Sequence, residues 1–101
     1  MIARTWSAQT PLAQADGFYQ HLLETGIADY KQNKGCREVL LLRRDEGEWS
    51  CFLLISVWDS LNSIRKYTGD DIEKAVLYKD DEKFELIPDD EVFHYQVLVV
   101  G

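Results

Sequence analysis

LLISVWDSLNSIRKYTGDDIEKAV, Leu53 to Val76, is the stretch that decides the fold. It begins as an apolar run, passes through Trp58 and turns polar at Asp59. The run LLI is apolar on both faces, which suits a strand covered on both sides and predicts a strand over Trp49–Trp58. Asp59 or Ser60 can cap a helix over about 60–68, with Leu61, Ile64 and Tyr67 turned inward. Gly69 breaks it. Asp70 and Glu73 then form a D-x-x-E capping box, which predicts a second short helix over about 71–77 with Ile72, Ala75 and Val76 inward.

Working outward, residues 2–9 alternate as a strand, with Ile2, Arg4 and Trp6 on one face and Ala3, Thr5 and Ser7 on the other. Thr10-Pro11 reads as a helix start. From Ala13 to about Tyr30 the period is helical, with Ala15, Phe18, Tyr19, Leu22, Gly26 and Tyr30 on one stripe. Gln14, Gln20, His21 and Glu24 face away, which makes His21 a surface residue. Asn33-Lys34-Gly35 is a turn signal. Cys36–Arg44 is a second strand, joined by a hairpin loop at 45–48 to the strand that ends on Trp58. FELI at 84–87 is a short extended piece, and Val92–Val100 is the last strand.

The resulting order is β-α-β-β-α-β, an α+β ferredoxin-like arrangement in one domain, 1–101. Helices cover one sheet face. The other carries apolar residues from EVLLLRR and HYQVLVV, and a bare apolar sheet face calls for a partner. A second copy of the chain is the simplest one.

The composition is globular, 46% hydrophobic and 29% charged. The net charge is −7, and seven acids lie between Asp80 and Glu91 with Lys83 the only base. Such a chain repels phosphate backbones and anionic lipid, which argues against nucleic-acid and membrane partners. Cys36 and Cys51 have neither CxxC nor metal-ligand spacing and read as reduced thiols. There is no apolar run near the length of a membrane span and no signal region at MIARTWS, so a cytoplasmic protein is expected. No Ser-His-Asp order, Gly-rich phosphate loop or metal cluster is evident.

Three stretches, MIARTW at 1–6, ISVWDSLNSIRKYTGDDIEKAV at 55–76 and HYQV at 94–97, resemble small proteins of the antibiotic biosynthesis monooxygenase group in the dimeric α/β-barrel superfamily. The resemblance implies two ferredoxin-like protomers whose sheets form a shared barrel. It also implies oxidation of a bound aromatic molecule by dioxygen without metal, flavin or other cofactor. The pocket would lie between helices and sheet. The positions carried over are Trp6 on the first strand, Trp58 at the end of the third, Tyr67 on the first short helix and His94 opening the last strand. In a haem-degrading branch the axial histidine falls near Leu77, with Val76 and Tyr78 beside it, and no histidine stands there. Haem is therefore not implied.

Each candidate has a plainer alternative. Trp58 suits a core residue with one partner for its indole N–H. Trp6 shares a face with Arg4, which suits a ligand wall or a stacked arginine at an exposed edge. His94 can take a phenolic proton, or can hydrogen-bond at a strand end. Tyr19, Tyr67 and Tyr78 can line a pocket with hydroxyls, or form core and rim. Arg4 can neutralise an anionic substrate, or pair with an acid. The expected ligand is a small apolar or aromatic molecule, held either for oxidation or, in a dimeric stress-response module, without catalysis.

Overall fold

The computed structural model describes residues 1–101. Five strands form one sheet: β1 (Ile2–Pro11), β2 (Cys36–Glu46), β3 (Trp49–Trp58), β4 (Ile87–Pro88) and β5 (Phe93–Gln96). The order is β2-β3-β1, and β4 and β5 both pair with the remaining edge of β1, all antiparallel. Three helices accompany the sheet: α1 (Ala15–Glu24), α2 (Gly26–Gln32) and α3 (Leu61–Thr68). This is the expected ferredoxin-like α+β arrangement.

The alternation read in β1, matched by alternating burial in β3, places the core. Ile2, Arg4, Trp6, Ala8 and Thr10 pair with Trp58, Ser56, Leu54, Phe52 and Ser50. All but Ile2 are buried beneath the helices. Ala15, Phe18 and Leu22 of α1, Ile27 and Tyr30 of α2 and Ile64 of α3 close on them. Phe18 meets Phe52 edge-on, with ring centres 5.2 Å apart. Interiors packed this closely respond to the loss of even one methylene.

Thr10 does not cap a helix. It stays in β1, its hydroxyl donating to the Phe84 carbonyl at 2.6 Å, and Pro11 still pairs with Trp49. A short 3₁₀ turn, Leu12–Gln14, precedes α1. The expected single helix is two. The break falls at Thr25, whose φ of −113° and ψ of −95° are not helical and whose hydroxyl bonds back to the His21 carbonyl. Such back-bonding by Thr bends helices. At α3 the expectation holds: Ser60 Oγ accepts from the Ser63 N–H, and Gly69 ends the helix at φ 83°. Left-handed backbone of that kind favours glycine.

The second short helix does not form. Residues 72 and 73 turn, and Lys74 makes an isolated bridge to Glu91. The reason lies in β1. Arg4 takes the carbonyls of Ile72 and Lys74, while Val92 N–H takes that of Glu73. A helix would have needed those carbonyls for its own i→i−4 bonds. Residues 69–92 therefore run as an irregular cover across the helix side of the sheet, with only a 3₁₀ turn at Asp81–Phe84 and β4. The last strand is also shorter than expected: it stops at Gln96, and Leu98, Val99 and Val100 are exposed.

Candidate functional site

Alternation brings Arg4 and Trp6 to the helix face of β1. The β1–β5 register sets His94 opposite Arg4, while Phe93 and Tyr95 point to the far face with Thr5 and Ala3. Arg4 is 1% exposed. One terminal nitrogen donates to the Ile72 carbonyl at 2.5 Å and lies 3.0 Å from His94 Nε2, and the other donates to the Lys74 carbonyl at 3.3 Å. Its Nε has no partner. No carboxylate pairs with it. A buried guanidinium in that state is costly, and an anion nearby relieves the cost.

Arginine can only donate, so His94 Nε2 accepts and the ring proton sits on Nδ1. Burial and then the Arg4 charge hold His94 below its usual pKa, with Glu73 partly opposing. The native state keeps His94 neutral, and the unfolded chain protonates first as pH falls. This contribution to stability is complete above about pH 6.5 and is lost on acidification through the lower native value. The urea midpoint is expected to fall between pH 7 and 5.5, and a His94→Gln variant to show a flatter profile. An unchanged wild-type midpoint over that window would contradict the assignment.

Arg4, Trp6, Tyr30, Tyr67, Tyr78 and Val92 are among the residues around a cavity of about 20 Å³ between sheet, helices and cover. That is room for one water or one ligand oxygen. The hydroxyls of Tyr67 and Tyr78 are 3.1 Å apart, and Tyr78 donates to Asp29 Oδ2. Burial pushes both tyrosines well above their usual pKa, assisted for Tyr67 by Tyr30 and for Tyr78 by the bond to Asp29. Burial likewise raises Tyr30, with Arg4 pulling the other way.

The remaining expected site residues are more dispersed. Trp58 is fully buried, lies outside the cavity lining and donates to Ser56 Oγ at 2.8 Å. It stacks on Tyr67 at 5.9 Å and meets Tyr30 edge-on at 5.7 Å. His94 stands behind Arg4, outside the lining. Tyr19 is 42% exposed and sits with Leu41 and Arg43 in a surface hollow away from Arg4. Phe18 and Leu22 take the inward positions of α1, and one residue on, about 100° round the helix, Tyr19 clears the sheet. His21 is the reverse case. It is partly buried, bonds Asp81 Oδ1 at 2.7 Å and packs on Phe84. Asp81 Oδ2 holds the Tyr78 N–H at 2.8 Å.

Asp29 was missed because it adjoins the stripe residue Tyr30 and its partner Tyr78 is 49 residues away. No spacing rule spans that distance. Cys36 and Cys51 are free thiols, and no group of three His, Cys, Asp or Glu side chains is placed to hold a metal. No helix is long and apolar enough to cross a membrane.

No family model matches the sequence, and no curated protein matches it. Solved structures do. A candidate antibiotic biosynthesis monooxygenase from Deinococcus radiodurans superposes over all of both chains, with a TM-score of 0.72 at 16% identity. The chain has this fold. A point mutant of MhuD, which holds two manganese protoporphyrin IX molecules per active site, follows at TM-score 0.66 and 12% identity, over all of this chain and 99% of that one. A candidate antibiotic biosynthesis monooxygenase from Bacillus cereus follows at 0.61 and 11%, over 99% of this chain and 95% of that one. At these identities the likeness is one of architecture, and one architecture hosts many functions.

Proposed function

We propose that the chain is a monooxygenase-like protein that holds a small aromatic anion between sheet and cover, without a cofactor. Arg4 carries this reading: a buried guanidinium with no carboxylate and an unpartnered Nε, lining a cavity rich in aromatic rings. The charge would stabilise an oxyanion on the ring as it forms, in a water-poor site where such a contact is strong. Trp6 and Tyr67 would flank the ring, and His94 would hold Arg4 in place.

The resident cavity seats one oxygen, so a ring enters only if the cover moves. The cover has little regular structure, only a 3₁₀ turn and the two-residue β4, and segments of that kind are where local opening is found. Haem does not fit. No histidine lines the cavity, Val76 and Tyr78 are the lining residues nearest the expected ligand position, and His94 Nε2 is occupied by Arg4.

A wider hollow of about 610 Å³ runs along the other sheet face past Ser7, Gln9, Leu42, Cys51, Leu53 and Ile87. We read that face as the seat of a second copy, continuous with exposed Leu40, Phe93 and Tyr95.

The test is oxygen uptake with a panel of hydroquinones and anthrones, run beside amide exchange over residues 69–92. Wild type is expected to consume at least one substrate about a hundredfold faster than Arg4→Met, the scale of one lost oxyanion contact. The same substrate should slow exchange in the cover. Equal rates in both proteins would refute the role of Arg4. A second reading, binding without catalysis, is favoured by the occupied lone pair of His94; it predicts slowed exchange with no oxygen consumed.

A further inference from the structure

Asp29 on α2, Tyr67 on α3 and Tyr78 in the cover form a single line of hydrogen bonds that reaches the cavity. The Tyr78 hydroxyl donates to Asp29, so its oxygen is the acceptor for Tyr67. With its proton committed to Tyr78, the Tyr67 oxygen presents only lone pairs to a ligand, beside Arg4 in the same lining. Two other acceptors nearby are engaged, and the Tyr30 hydroxyl in the same lining has no carboxylate bonded to it. Asp81 is held by His21 and by the Tyr78 N–H, and His94 Nε2 by Arg4. Both tyrosines are held neutral by burial, so each can pass a proton on only while receiving one.

We infer that this line carries away the proton of a ring hydroxyl bound in the cavity, with Asp29 as the terminal acceptor and Arg4 facing the oxyanion left behind. The inference rests on reading the cavity as an aromatic-anion site. The ligand class is a phenol, or an enol of a polycyclic ketone. Its O–H bond breaks and the proton bonds to the Tyr67 oxygen. The proton of Tyr67 moves to the Tyr78 oxygen, and that of Tyr78 moves to the Asp29 carboxylate, which ends as the neutral acid. The electron pair of the broken bond stays on the ligand oxygen. No oxidant or reductant takes part. Tyr67 is the catalytic residue of this step because it touches the ligand, and Tyr78 and Asp29 act through it.

4-Nitrophenol reports its own ionisation by colour and serves as the probe. It is titrated, across a series of pH values, into wild type, Asp29→Asn, Tyr78→Phe and Arg4→Met, with a thermal melt of each. Wild type is expected to bind it and raise its ionised fraction about tenfold below the midpoint of the free phenol. Asp29→Asn and Tyr78→Phe should lose that gain with affinity changed less than about threefold. Arg4→Met should lose both the gain and the affinity. If Asp29→Asn does not fold, Tyr78→Phe carries the same expectation. An undiminished gain in the Asp29→Asn or Tyr78→Phe variant overturns the relay and leaves the cavity reading intact. No saturable binding by wild type overturns both.

Discussion

Trp58→Ala is expected to cost about 3–5 kcal/mol, the range for deleting a large aromatic from a packed core. Trp58 is fully buried, its ring is held between Tyr30 and Tyr67, and its N–H is bonded to Ser56. The substitution opens a void under the cavity wall and leaves the Ser56 hydroxyl without its donor. Stabilities of such domains are only about 5–15 kcal/mol, so a large share of the total goes. At about 4 °C or more per kcal/mol for a chain of this size, the midpoint should fall by more than about 12 °C. Trp58→Phe keeps much of the packing and should cost visibly less. A fall under about 4 °C for the alanine variant would mean that the Tyr30–Trp58–Tyr67 stack does not hold the core.

Phe93→Asp is expected to weaken self-association on the order of a thousandfold while leaving the protomer folded. Phe93 is 56% exposed in the isolated chain, so a carboxylate there costs the protomer little. Across a two-fold axis the substitution occurs twice, and two interface anchors at about 2 kcal/mol each give that factor. The wild type should then be a dimer by light scattering at micromolar concentration and the variant a monomer, with matching melts once dilution is taken into account. A wild type that is monomeric there, or a variant that still dimerises, would remove the second copy from the far face of the sheet.

How much of this was legible depended on how far apart the deciding residues lie. Alternation in β1 told that Arg4 and Trp6 share one face of the sheet, because period two leaves no choice within a strand, but not that the helices cover that face. Ser60 and Gly69 bounded α3 by purely local chemistry. The D-x-x-E box at Asp70–Glu73 was equally good local chemistry, and it lost. Arg4, some 70 positions away, offered those carbonyls a charged donor. Bonds to charged groups outweigh neutral ones, and a two-turn helix has little stability of its own. The exchange of Tyr19 and His21 has a similar cause. Hydropathy favoured the tyrosine inside, but Asp81 supplied the histidine with a partner on the inner side. At the site itself, the face shared by Arg4 and Trp6 could be read in advance. The line from Tyr67 to Asp29 could not, because Tyr78 sits in a segment with no period at all.

The cover has one more consequence, for the order in which the chain acquires its structure. Its pins come from Arg4, Trp6 and Thr10 on β1, His21 on α1 and Asp29 on α2, and each reaches across 49 to 83 residues. None of these bonds can form until β1 lies beside β3 and the helices have settled on the sheet. Closing such long loops brings no return before that framework exists. The cover is therefore the last part to fold and the first to let go. Substitutions confined to it should speed unfolding while leaving the folding rate almost unchanged.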